Sequence, residues 1–417
     1  MRSLASVAER LAPFVLLGLP IALAFGPTLV EVCIGLLVGT LLVHSLLRHD
    51  WAWLRQGWLW LAIIWWAWLV MCSWPGIAAA PTWPRWTFQA VLMIRLPLCA
   101  ASVLWVLRTS PFAARGLRWV VVLVAVYVVA QIGLQLVTGK NLFGFPMADN
   151  GLLSGPFDRP RAGPTLMHLF FPVLLPPVAW LLARGWLGWI GGTALLAAGV
   201  AVMLPIGQRM PVLLVGLGLV VAAILLPRLR RPALIAALTG IGVLALGGLA
   251  FPAAQHRMVT HFSEQMSIFH TSHYGLIYTR ALAMAAQHPW HGRGFAGFRT
   301  GCEEARYFTP ALGGTPADGG GAEICAPHAH HLYIEALTDA GWPGLVLFSA
   351  FVLAVLRALG RGLRASPEPL RVGLFIAALL HLWPLAASSA FTNIYMAGWF
   401  VLLLGWGLAR APGTRGS

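Results

Sequence analysis

Apolar stretches long enough to cross a bilayer recur from one end of this chain to the other, and no other feature restricts its fold so sharply. On a window of about 19 residues they fall at roughly 11–25, 28–47, 57–73, 87–107, 118–138, 165–183, 186–206, 210–227, 232–252, 330–356, 372–390 and 393–409. A spanning helix needs roughly 20 such residues, since lipid offers no partner to an unpaired backbone amide. A membrane β-barrel would instead show segments of about ten residues with alternating polarity. With 59% hydrophobic and 10% charged residues, the chain is far outside the soluble range. The expectation is an all-α polytopic membrane protein of about twelve transmembrane helices. It divides into helices 1–9 over 1–252, one long, partly helical outer loop over 253–329, and helices 10–12 over 330–417.

A net charge of +15 would point a soluble protein toward nucleic acid. Here the arginines sit in short clusters between apolar runs, so they speak to orientation, and no nucleic-acid partner is expected. Arg2, Arg10, Arg48, Arg55, Arg108, Arg184, Arg228, Arg357, Arg361 and Arg410 fall on alternate connections. By the positive-inside rule that side is cytoplasmic and holds both termini. Arg2, Arg10 and Ala22-Leu23-Ala24 also fit a cleavable signal peptide, but retention as an anchor is expected.

The opposite side carries the segments at roughly 74–86, 139–164 and 253–329. Apolar residues at helical spacing predict a helix over 272–287, stopped by Pro289, Gly292 and Gly294. Gly313–Gly321 has the composition of a linker. Half of the 20 tryptophans lie between Trp51 and Trp86, as an aromatic belt would place them, with Trp83 and Trp86 as candidates for stacking on sugar. Cys302 and Cys325 share the long loop and can pair if it faces an oxidising compartment.

Chemistry concentrates where that loop runs into the next span. His328, His330 and His331 stand within A-P-H-A-H-H-L-Y-I-E-A-L-T-D-A-G-W-P-G. Two readings compete. With Glu323, Cys325 and Glu335 the histidines hold a transition metal, or one imidazole acts as a general base beside a bound diphosphate. A helix starting near His330 sets His331, Glu335 and Asp339 on one face, so that a carboxylate orients an imidazole. Arg209, in the I-G-Q-R-M-P turn between two spans, Arg280 on the loop helix, and Arg159 and Arg161 in G-P-F-D-R-P-R form an outer set of guanidinium forks suited to phosphate oxygens.

His330, a polar residue, nine residues, Gly341, two residues and Gly344 resemble the outer-loop motif of bacterial O-antigen ligases, a family that also includes O-antigen polymerases. The family pattern has Asn, Ser or Gln after the histidine, where this chain has His331. R-A-L-A-M-A-A-Q-H-P-W-H-G-R-G-F-A-G-F, from Arg280 to Phe298, is similar to the family's arginine helix with its His-Pro and Gly-x-Gly-Phe turn, and Arg209 stands where the family carries an arginine between mid-chain spans.

The resemblance implies a glycosyltransferase of the bacterial inner membrane with its site at the periplasmic face. It implies transfer of O-antigen glycan from undecaprenyl diphosphate to the lipid A–core of lipopolysaccharide, with His330 or His331 as base and Arg209, Arg280, Arg161 and Arg159 on the diphosphate. Inversion at the anomeric carbon is expected, because there is one candidate base and no evident carboxylate nucleophile. The chain has 13 acids, Glu303-Glu304 as their adjacent pair and no D-x-D, so no metal, no other cofactor and a monomer in membrane lipid are expected. Polymerisation onto a second lipid-linked glycan is the nearest alternative. A lipid-linked glycan transporter is a further one, disfavoured because Arg95 is the one basic residue deep in an expected span.

Overall fold

The computed structural model describes residues 2–78, 84–148, 151–246, 256–308, 321–386, 391 and 393–412. Among these there is no strand, and the helices are α1 (Arg2–Phe25), α2 (Pro27–Arg48), α3 (Gly57–Cys72), α4 (Arg85–Leu92), α5 (Arg95–Thr109), α6 (Pro111–Thr138), α7 (Ala162–Leu182) and α8 (Gly185–Met203). They continue with α9 (Arg209–Leu225), α10 (Arg230–Leu246), α11 (His261–Ser267), α12 (His273–Gln287), α13 (Gly297–Gly301), α14 (Leu332–Gly360), α15 (Pro369–His381) and α16 (Ile394–Arg410). Among the described residues, eight helical stretches are long and apolar enough to cross a membrane. The other four expected runs form the shorter apolar helices α3, α9, α15 and α16. The linker expected at Gly313–Gly321 lies, apart from Gly321, outside the described residues, as does Trp83.

Lipid exerts no hydrophobic pull between helices, so close packing must hold them together. Small residues permit it. Gly373 of α15 meets the Phe171 carbonyl of α7, where a Cβ would stand 2.6 Å from the oxygen, and Gly405 of α16 meets the Ala100 carbonyl of α5 in the same way at 2.5 Å. Arg95 is held by a bidentate pair with Glu31 of α2, at 2.9 and 2.7 Å. A charge inside the bundle is thus neutralised in place.

The long loop has a core of its own, built from Ile277, Ala281, Met284, Phe298, Tyr307 and Ala329. Cys302 and Cys325 are joined in a disulfide that closes it. Helix α12 covers 273–287 as its spacing predicts, with the Ser272 hydroxyl accepting from the Gly275 amide at 3.2 Å.

Helix α14 explains how this loop is fastened to the bundle. Pro343 has no amide to give the Asp339 carbonyl, and Gly341, at φ 67°, turns Trp342 away from the Thr338 carbonyl. The loop fills each vacancy. The Arg293 amide donates to Thr338 O at 2.8 Å, the Gly294 amide to Asp339 O at 2.9 Å, and Trp342 N donates to Pro289 O at 2.8 Å. The Trp68 indole on α3 adds a bond to Ala340 O at 2.8 Å. Glycine is required at the bend, because a Cβ on Gly341 would meet the Pro289 carbonyl at 2.5 Å.

Candidate functional site

The first turn of α14 separates the neighbouring histidines by role. His331 is the N-cap, its Nδ1 accepting from the Ile334 amide at 3.2 Å. The Pro384 carbonyl also acts on the ring. Burial lowers its pKa, and the bond to Pro384 opposes that shift. Tyr333, two residues on, donates to Leu382 O at 2.9 Å and ties the same turn to the 382–384 segment.

His330 is the converse case. It holds a left-handed backbone at φ 52°, uncommon for a residue with a side chain. Its amide donates to His328 Nδ1 at 3.1 Å, and among the described residues neither nitrogen of its own ring makes a hydrogen bond. Its ring lies 4.1 Å from that of His328 and takes the edge of Tyr274 at 5.5 Å. Burial, with a contribution from His273, pulls its pKa down to about 4. Burial likewise takes His328 to about 3, with His330 and Arg299 adding to the shift. Both imidazoles are therefore neutral near pH 7 and hold a lone pair.

Tyr274 links this imidazole to the mid-chain arginine. Its ring lies 5.5 Å from that of His330, and it acts electrostatically on Arg209. Arg209 opens α9 directly after a turn at Gly207, φ 77°, and Gln208 of that turn donates to Pro160 O at 2.7 Å. This bond draws in the segment bearing the other two outer arginines. Arg161 pairs with Asp158 at 3.3 Å and lies 4.1 Å over the Tyr395 ring, while Arg159 is exposed.

Arg280 is placed differently from these three. It is 2% exposed, and its Nη1 donates to the carbonyls of Cys302 and Gly321 at 3.0 Å each. The guanidinium sits 4.1 Å over Phe308, and burial lowers its pKa against the pull of Glu323. Its bonds clasp the two strands of the disulfide-closed loop. Arg293, fully buried, is a second clasp, donating to Tyr307 and Glu304.

Residues 193–349 match the model of a known family, O-antigen ligase. The chain carries an O-antigen ligase family domain. No curated protein matches it. The O-antigen ligase region runs from within α8 through the first part of α14, so it contains Arg209, Arg280, His330 and His331, whereas Arg159 and Arg161 precede it.

Within this O-antigen ligase domain the carboxylates do not serve the histidines, which corrects the expectation drawn from helical spacing. Asp339 accepts the amides of Ala296 and Gly297 at 3.2 and 2.9 Å, turned toward the Gly-rich loop. Glu335 lines a small pocket with Trp65, Phe295, Phe348 and Phe391, and its Oε2 is buried with no hydrogen-bond partner among the described residues. The face is shared, but His331 Nδ1 is taken by the Ile334 amide. Nor, among the described residues, do three His, Cys, Asp or Glu side chains converge as metal ligands would.

Tyr274 and Tyr278, each edge-on to one of the two histidines at 5.5 Å, are the residues that sequence reading missed. Their i, i+4 spacing on α12 was the available signal. Also unforeseen is a buried histidine pair in the bundle, His168 Nε2 to His381 Nδ1 at 2.9 Å. Two helices far apart in sequence supply it, and no local pattern betrays it.

Proposed function

We propose that this protein is an O-antigen ligase, which moves an O-antigen glycan from undecaprenyl diphosphate onto a sugar of the lipid A–core at the periplasmic face of the inner membrane. The observation that carries the reading is His330, a neutral imidazole whose ring nitrogens make no hydrogen bond among the described residues, in a left-handed backbone position, beside a tyrosine that acts electrostatically on Arg209. Strain of this kind is kept where surrounding structure enforces it, commonly at a reacting site.

The chemistry follows from the charges. As the acceptor oxygen bonds to the anomeric carbon, the bond from that carbon to the diphosphate oxygen breaks, and the electron pair leaves with the phosphate. The acceptor proton passes to His330. Arg209, with Arg161 and Arg159 on the adjoining segment, receives the growing charge on the leaving diphosphate. Arg280 acts through the loop it clasps. A single displacement inverts the anomeric centre, and guanidinium groups supply the charge that a divalent ion would otherwise bring. The half-buried pair of Arg95 with Glu31 leaves no loose charge for a transport path there, which sets the transporter reading behind the enzyme.

Purified protein in detergent, given a defined lipid-diphosphate glycan and two acceptors, lipid A–core and a second lipid-linked repeat, tests the reading. Transfer to lipid A–core with inversion, unaffected by EDTA, is the expected result. Transfer to the lipid-linked repeat alone would make the protein a polymerase. Retention, or loss of activity in EDTA restored by a divalent ion, would overturn the mechanism.

A further inference from the structure

Beside the histidines lies a second cationic group that the reaction above leaves unused. Arg85 lies 5.2 Å and Arg299 5.5 Å from the centre of the Trp86 ring, which rests in turn against Phe295 at 6.3 Å. Arg299 donates from Nε to Pro327 O at 3.2 Å, one residue before His328, and acts electrostatically on that histidine. Neither arginine forms an ion pair among the described residues, although the chain pairs Arg48, Arg95, Arg161, Arg293 and Arg410 with carboxylates. An aromatic ring that steadies two guanidinium groups while leaving their forks open is a preorganised receptor for an oxyanion.

We propose that Arg85, Trp86 and Arg299 form the acceptor subsite, which takes a phosphate- or carboxylate-bearing saccharide. The assignment rests on the glycosyl-transfer reading of His330. In-line displacement requires the acceptor to approach opposite the leaving diphosphate. Tyr274, on which Arg209 acts, and His328, on which Arg299 acts, both lie against the His330 ring, so the base has a cationic group reached through a different neighbour for each partner. Phosphate groups of outer-leaflet lipid share the chemistry of the proposed ligand and are separated from it by experiment.

The test measures binding, which does not depend on turnover. Full-length protein in neutral nanodiscs is titrated with a deacylated, phosphorylated core oligosaccharide and with the same sugar after phosphatase treatment. Wild type is expected to bind the phosphorylated form about tenfold or more tightly, and Arg85→Gln/Arg299→Gln to lose that preference with its thermal midpoint unchanged. Arg85→Gln alone, which leaves the Pro327 contact intact, is expected to show part of the loss. Equal affinity of wild type for both sugars would overturn the proposal. So would a double variant that keeps the preference but loses stabilisation by phosphatidylglycerol, since the patch would then be a lipid anchor. Binding without any transfer to lipid A–core would keep the subsite and remove the ligase reading, whereas transfer with an unchanged acceptor KM in the double variant would do the reverse.

Discussion

Two adjacent imidazoles at the start of α14 are placed differently, and their backbone angles differ with them. His330 sits at φ 52° and offers its ring to the site, while His331, at φ −155°, begins α14 as its cap. Asn and Ser, which the family pattern admits at the second position, are good N-caps, so His331 is a substitute that caps through Nδ1. His331→Asn is therefore expected to keep both activity and stability. His331→Ala should lose about 1 kcal/mol of stability as the cap is lost, and His330→Ala should fold but lose about 10²- to 10⁴-fold in turnover. Parallel assays of transfer and thermal midpoint separate the three, and equal residual activity in the two alanine variants would refute the division. Acid sensitivity follows from the same burial. The folded pKa values of His330 and His328, about 4 and about 3, lie below the ordinary 6.5, so the unfolded chain binds more protons between these limits. Stability is then undiminished above about pH 6.5 and falls as pH drops toward about 4. The thermal midpoint should be lower at about pH 5 than at about pH 7.5, and less so in His330→Gln. The histidines were legible as a cluster because three within four residues is rare at a lipid boundary. Which of them caps the helix was not legible, since φ at His330 and the start of α14 at His331 depend on tertiary packing.

Helical elements were read well wherever periodicity or hydropathy alone decides them. Each expected apolar run has its helix, and α12 starts and stops at the residues that cap it. The joint between loop and bundle was not readable in this way. It arises because Gly341 and Pro343 free carbonyls in α14 and the backbone of Pro289, Arg293 and Gly294 answers them, a pairing between stretches about fifty residues apart that no window spans. Gly341→Ala is expected to be destabilising by about 1–3 kcal/mol, because a side chain is strained at that φ. Its Cβ would also press on the Pro289 carbonyl. The Arg280 clasp was hidden for the same reason, and an arginine on a loop helix read as a ligand-binding group turns out to hold the backbone of its own loop. The disulfide beside it closes a loop of sequence separation 23. Reduction, or Cys302→Ser with Cys325→Ser, should remove about 3 kcal/mol. Thermal denaturation with and without reductant measures it, and a midpoint indifferent to reductant would show that the bridge carries no stability.

Across the whole molecule, one polarity makes these pieces compatible. A bond between Cys302 and Cys325 is kept where thiols are not held reduced, which is the kind of compartment the proposed outward-facing site requires. The remaining cysteines, Cys33, Cys72 and Cys99, are unpaired and lie in the helical bundle. The arginines agree. Arg228, Arg230, Arg361 and Arg364 fall on alternate connections between apolar runs, which the positive-inside rule assigns to the cytoplasm. Asp158 and Arg159, by contrast, lie on the segment that Gln208 binds, next to the turn bearing Arg209. If the diphosphate of a lipid donor is bound there, that segment must be reachable from outside. Asp158→Cys and Arg228→Cys, each in a background lacking Cys33, Cys72 and Cys99 but keeping the disulfide, put this to the test in spheroplasts. A membrane-impermeant maleimide should label the first in intact cells and the second only after lysis. Labelling in the opposite order would turn the protein over, placing His330 and Arg209 in the reducing cytoplasm, where neither a stable disulfide nor an outward-facing transfer reaction is tenable.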